Sequence, residues 1–125
     1  MQTVLFVDDE PFILDALRRL LHPERHTWGQ LFAVGGDHAL KILRQVPIYA
    51  VVTDMHMPGM SGQELLNCVC REHPDVVRIV LSGHYDPYQN HSFQSLPHYI
   101  LTKPCSKKDL LMTLEDSLSR RSMHA

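Results

Sequence analysis

Apolar residues recur along this chain in two rhythms. Val4-Leu5-Phe6-Val7, Tyr49-Ala50-Val51-Val52-Thr53, Ile79-Val80-Leu81 and Tyr99-Ile100-Leu101-Thr102 are nearly unbroken runs. Between them the apolar positions return every three or four residues. Unbroken runs suit strands covered on both faces, and the longer period suits helices with one buried side. The pattern predicts strands at 3–7, near 30–34, at 49–53, at 77–81 and near 98–102. Helices are expected at 11–22, where Pro11 suits the first turn, at 37–45 after Gly35-Gly36, and at 62–73. A final helix follows Ser106 and carries Leu110, Leu111, Leu114 and Leu118. Ser61 with Glu64 three residues on forms a capping box for the third helix, and Ser106 is a cap for the last. The loop before the second strand holds the single tryptophan, Trp28.

Five β-α repeats predict one α/β domain of flavodoxin-like architecture: a three-layer sandwich around a five-stranded parallel sheet of order 2-1-3-4-5 with five helices. The segment between Ser82 and Lys103 is rich in proline, serine and asparagine, so its helix, the fourth, is expected to be short or mobile. In such a sheet every strand points the same way, and residues at the carboxyl ends gather at one edge. Asp8 and Asp9, Asp54, Ser82, and Lys103 with Pro104 occupy those ends. Three carboxylates, a hydroxyl and an ammonium are thereby expected in one small pocket.

Composition narrows the setting. A chain of 125 residues with 44% apolar content fits one core. The expected unit is residues 1–120, with 121–125 as a polar tail or the start of a linker. No apolar stretch approaches the ~18 residues of a membrane span, and the N-terminus enters a strand without a signal peptide. Three cysteines, Cys68, Cys70 and Cys105, suit a reducing cytoplasm, with the two on the third helix read as small packing residues. The net charge is −2 and no basic block stands out, which argues against direct nucleic-acid binding.

Crowded carboxylates resist ionising together unless a cation joins them. An all-oxygen donor set that leaves places for water and phosphate suits Mg²⁺ better than Ca²⁺ or zinc. Beside such an ion, a carboxylate oxygen can attack phosphorus while an ammonium and a hydroxyl hold the transferring group. Asp54 stands alone at its strand end, before the turn-rich Met57-Pro58-Gly59-Met60-Ser61-Gly62, and is the expected nucleophile. Lys103 and Ser82 fill the other roles. Met55, Met57 and Met60 read as packing anchors of the loop rather than metal ligands.

From Thr3 to about Arg120 the chain resembles the receiver domains of two-component response regulators. Val7-Asp8-Asp9-Glu10-Pro11, Asp54 with Met57-Pro58-Gly59-Met60-Ser61-Gly62, Leu81-Ser82-Gly83 and Leu101-Thr102-Lys103-Pro104 carry the likeness in order. The resemblance implies that Asp54 accepts a phosphoryl group from a histidine kinase or histidine phosphotransfer protein. It implies direct Mg²⁺ ligation by Asp9 and Asp54, ligation by Asp8 largely through water, and a place for the His56 backbone carbonyl. Ser82 and Lys103 would hold phosphoryl oxygens, and the bond before Pro104 would be cis. Phosphorylation would shift the fourth helix, fifth strand and final helix, a surface also available for a homodimer. The output would pass to an attached or separate effector; the chain is either a stand-alone receiver or part of a longer regulator, and its motifs resemble receivers joined to cyclic-di-nucleotide phosphodiesterases or transcription activators.

Two departures stand out. The aromatic switch position of the family holds Ile100, and strand alternation turns the adjacent Tyr99 to the opposite face. His56 and His84 lie two residues past Asp54 and Ser82, where imidazoles would make dephosphorylation pH-sensitive or else be plain solvated side chains. Taken singly, Asp8 and Asp9 could cap the first helix, Ser82 could be a turn residue and Lys103 a solvated charge. A Mg²⁺-dependent phosphohydrolase would use the same groups but needs a cap over its substrate. A nucleotide-binding module would need a glycine-rich phosphate loop, which this sequence lacks.

Overall fold

The computed structural model describes residues 2–83, 97–103 and 105–124, with 120–124 as backbone only. Its elements are β1 (Thr3–Asp8), α1 (Pro11–Leu21) with a 3-10 turn (His22–Glu24), β2 (Gly29–Val34), α2 (Gly36–Gln45), β3 (Ala50–Asp54), α3 (Gly62–Glu72), β4 (Val77–Ser82), β5 (Tyr99–Thr102) and α4 (Lys107–His124). The strands form one parallel sheet of order β2-β1-β3-β4-β5, as the alternation of elements predicts. Four α-helices fall among the described residues; the helix expected between Ser82 and Lys103 lies mostly in 84–96, outside them.

Alternation along the strands divides the core. Val4 and Phe6 of β1, Val52 of β3 and Ile79 of β4 face α1 and α4, where Leu14, Leu21, Leu110, Leu114 and Leu118 cover them. Leu5, Val7 and Val51 face α2 and α3, against Leu40, Leu43, Leu65 and Val69. Each such side chain contributes on the order of 1.5–3 kcal/mol by leaving water. Trp28, expected in a loop, is 2% exposed and joins the first cluster, its ring centroid 6.1 Å from that of Phe6.

Both expected helix caps form. Ser61 Oγ accepts from the Glu64 N–H at 3.1 Å, and Ser106 Oγ accepts from the Asp109 N–H at 3.0 Å. Three strands run one residue further than the apolar runs: Asp8, Asp54 and Ser82 are paired with Val34, Leu81 and Thr102. The sheet therefore holds the main chain of three site residues directly.

Candidate functional site

The parallel topology brings the expected residues to one edge. Asp8 ends β1, Asp54 ends β3 in the adjacent position, and Asp9 follows Asp8. One carboxylate oxygen from each lies within 4.8 Å of the others. Asp8 is buried, and its Oδ1 accepts from the Glu10 N–H at 3.0 Å. That bond leaves Glu10 as the N-cap of α1, without a side-chain cap, so neither acid serves the helix in the way a capping role would require.

Burial pushes the Asp8 carboxyl above its ordinary range; the nearby Asp54 charge adds to the effect, while the Glu10 N–H and the Lys103 ammonium oppose it. A mostly apolar cavity of about 280 Å³, lined among others by Ile13, Leu17, Leu20 and Leu110, adjoins Asp8 and Asp54. Three oxygens at this spacing, with an acid raised by burial, fit a hard divalent cation.

Lys103 lies just past β5, and its Nζ reaches to 3.3 Å from Asp54 Oδ1. Its main chain is held too, for the Lys103 N–H donates to the Ser82 carbonyl at 2.8 Å. Ser82 itself is buried at the end of β4, between the strands that supply Asp54 and Lys103. The carboxylates, hydroxyl-bearing residue and ammonium predicted to meet are therefore brought to one edge. The side chain of His56 is exposed. His84 and the bond before Pro104 lie outside the described residues.

The loop after Asp54 is fastened at several points. Met55 and Met57 are buried, Gly59 takes φ 72°, and the Met60 thioether lies against Gly36, where an added Cβ would come within 2.7 Å of Sδ. The methionines are packing anchors, as expected. Gly62 closes the loop: its N–H donates to the Met55 carbonyl at 3.0 Å. From the sequence Gly62 reads only as the start of α3, although glycine is a poor choice for a helix and so marks a special position.

The sequence profile of the response regulator receiver domain matches residues 4–115. The chain belongs to that family. Over 84 residues this receiver domain is 42% identical to the hydrogenase transcriptional regulatory protein HoxA of Cupriavidus necator, covering 67% of this chain and 17% of HoxA. It is 33% identical over 131 residues to the transcriptional regulatory protein YesN of Bacillus subtilis, covering 99% of this chain and 35% of YesN. The chain thus spans about a third or less of these relatives. The response regulator TrrA of Thermotoga maritima, solved in complex with Mg²⁺-BeF, superposes with a TM-score of 0.80 at 26% identity, over 94% of this chain and 99% of that one. The receiver is a signalling domain, and no helix among the described residues is long and apolar enough to cross a membrane.

Proposed function

We propose that Asp54 is the phosphoacceptor of a Mg²⁺-dependent phosphorelay. The observation that carries the reading is the meeting of Asp8, Asp9 and Asp54 within 4.8 Å, with Lys103 Nζ 3.3 Å from Asp54. Asp9, Asp54 and the His56 carbonyl are the residues that would hold Mg²⁺, with Asp8 acting largely through water. The ion supplies charge neutralisation on the transferring group.

An Asp54 carboxylate oxygen bonds to phosphorus as the P–N bond of the donor phosphohistidine breaks. The electron pair of that bond stays on the imidazole, which takes up a proton. Lys103 shifts from Asp54 toward the new phosphoryl oxygens, and Ser82 holds another of them. Both steps are governed by position and charge, which a pre-built site supplies. Attack by water on the same phosphorus returns the carboxylate and releases inorganic phosphate. The domain thereby promotes both its own loading and its own discharge.

The donor is a sensor histidine kinase or a histidine phosphotransfer protein, and the setting is cytoplasmic. Residues 1–120 form the receiver and 121–125 its tail. The names of HoxA and YesN support a transcriptional effector outside this chain. The surface of the helix expected between β4 and β5, of β5 and of α4 is proposed to carry the response and to form a homodimer.

Incubation with acetyl phosphate and Mg²⁺, followed by intact mass, tests the assignment. The expected product carries one labile phosphate, absent in Asp54→Asn and after chelation. Equal labelling of Asp54→Asn, or turnover of many equivalents without a labelled protein, would reject it.

A further inference from the structure

Gly62 is buried at the first position of α3, and its Cα lies against the main chain of the candidate acceptor. A Cβ added there would lie 2.1 Å from the Asp54 carbonyl oxygen, 2.9 Å from Met55 Cα and 3.0 Å from the Asp54 carbonyl carbon. All three are backbone atoms, so no change of side-chain rotamer relieves the overlap. The need for glycine is not conformational, because among the described residues the positive-φ glycines are Gly35 and Gly59. It is a need for space.

We propose that Gly62 is a positioning residue for phosphoryl transfer: the close seat of its Cα fixes the Asp54–Met55 peptide, and with it the direction of the Asp54 carboxylate. The inference rests on Asp54 being the acceptor. Both sides of the contact are held. The Asp54 end is fixed by the β3–β4 ladder, in which Asp54 pairs with Leu81, and its carbonyl accepts from Thr53 Oγ1 at 3.0 Å. The α3 end is held by the Ser61 cap and by the buried Leu65 and Leu66. The Gly62 N–H bond to the Met55 carbonyl ties the two together. A side chain at 62 therefore displaces the peptide that joins the two held parts, and the carboxylate leaves the 4.8 Å cluster and the 3.3 Å contact with Lys103.

Gly62→Ala is compared with wild type and with Val69→Ala, which opens the fully buried core side of the same helix about two turns along from Gly62. All three full chains are assayed in trimethylamine N-oxide, which favours the folded state, so that unfolding does not imitate mispositioning. Circular dichroism gives Tm, calorimetry with Mg²⁺ alone gives metal affinity, and intact mass after acetyl phosphate gives the rate of phosphoryl uptake. A displacement of about 1 Å at a reacting group costs up to ~10²-fold. Gly62→Ala is expected to weaken Mg²⁺ binding by at least ~10-fold and to slow uptake by ~10- to 100-fold. Val69→Ala should lower Tm while leaving Mg²⁺ affinity unchanged. Wild-type values in Gly62→Ala, or equal losses of Mg²⁺ affinity in both variants, would overturn the inference. A wild type that binds Mg²⁺ but takes up no phosphate would reject Asp54 as acceptor, and the Mg²⁺ titration would still decide the role of Gly62.

Discussion

Lys103 reaches Asp54 across an intervening strand: β4 separates the two residues in the sheet, yet Nζ and Oδ1 are 3.3 Å apart. The pair is partly solvated, with 40% of the lysine side chain exposed, so its removal should change stability by no more than ~1 kcal/mol. Its effect on chemistry should be larger. Losing one fixed donor to a transferring group typically costs about 10²–10³-fold. Lys103→Met is expected to keep its Tm while phosphoryl uptake from acetyl phosphate falls by about that factor, measured by stopped reaction and intact mass.

Asp8 behaves in the opposite way toward the fold. Its carboxyl is raised by burial and by Asp54, so the ionised form present near neutral pH is disfavoured in the folded chain. Asn keeps an oxygen to accept from the Glu10 N–H without the charge. Asp8→Asn should therefore melt above wild type in EDTA and gain less from added Mg²⁺, a reversal readable by differential scanning calorimetry.

His98 supplies a pH dependence of its own. Its ring Nδ1 accepts from the Arg78 main-chain N–H at 2.9 Å, and the His98 main-chain N–H donates to the Arg78 carbonyl at 2.8 Å. Burial, and then the Arg78 guanidinium, lower its pKa below the ordinary 6.5. Between the folded value and 6.5 the unfolded chain binds more protons, so stability rises with pH across that window. The contribution is complete above 6.5 and is lost as the pH falls through the folded value. Tm measured from about pH 7.5 down to about pH 5 should fall more steeply for wild type than for His98→Gln.

The cap of α3 stabilises the helix that follows the loop after Asp54. Ser61→Ala removes the acceptor for the Glu64 N–H and should cost about 1 kcal/mol, measured by urea unfolding with an unchanged slope.

Much of this was legible in the residues. The strands announced themselves because burial on both faces demands unbroken apolar runs, and their shared direction then delivered Asp8, Asp9, Asp54 and Lys103 to one edge. Tyr99 also followed from alternation: it packs toward α4 and donates to Asp116 Oδ2 at 2.7 Å, whereas Ile100 is 44% exposed. Other features depend on contacts that no local pattern encodes. The one-residue extensions of β1, β3 and β4 come from ladder pairing, which overrides the polar character of Asp8, Asp54 and Ser82. Trp28 is buried because the chain folds back onto Phe6, and Gly62 matters because of a carbonyl eight positions earlier in the chain.

The sheet order has a temporal side. The acids come from the first and third strands, whereas the ammonium arrives with β5, the last strand in the chain and an outer one in the sheet. During synthesis, the carboxylates of a nascent chain would be complete before their cation had left the ribosome. The pairing of Lys103 with Asp54 thus waits on the docking of the final strand, the clasp arriving after the cage.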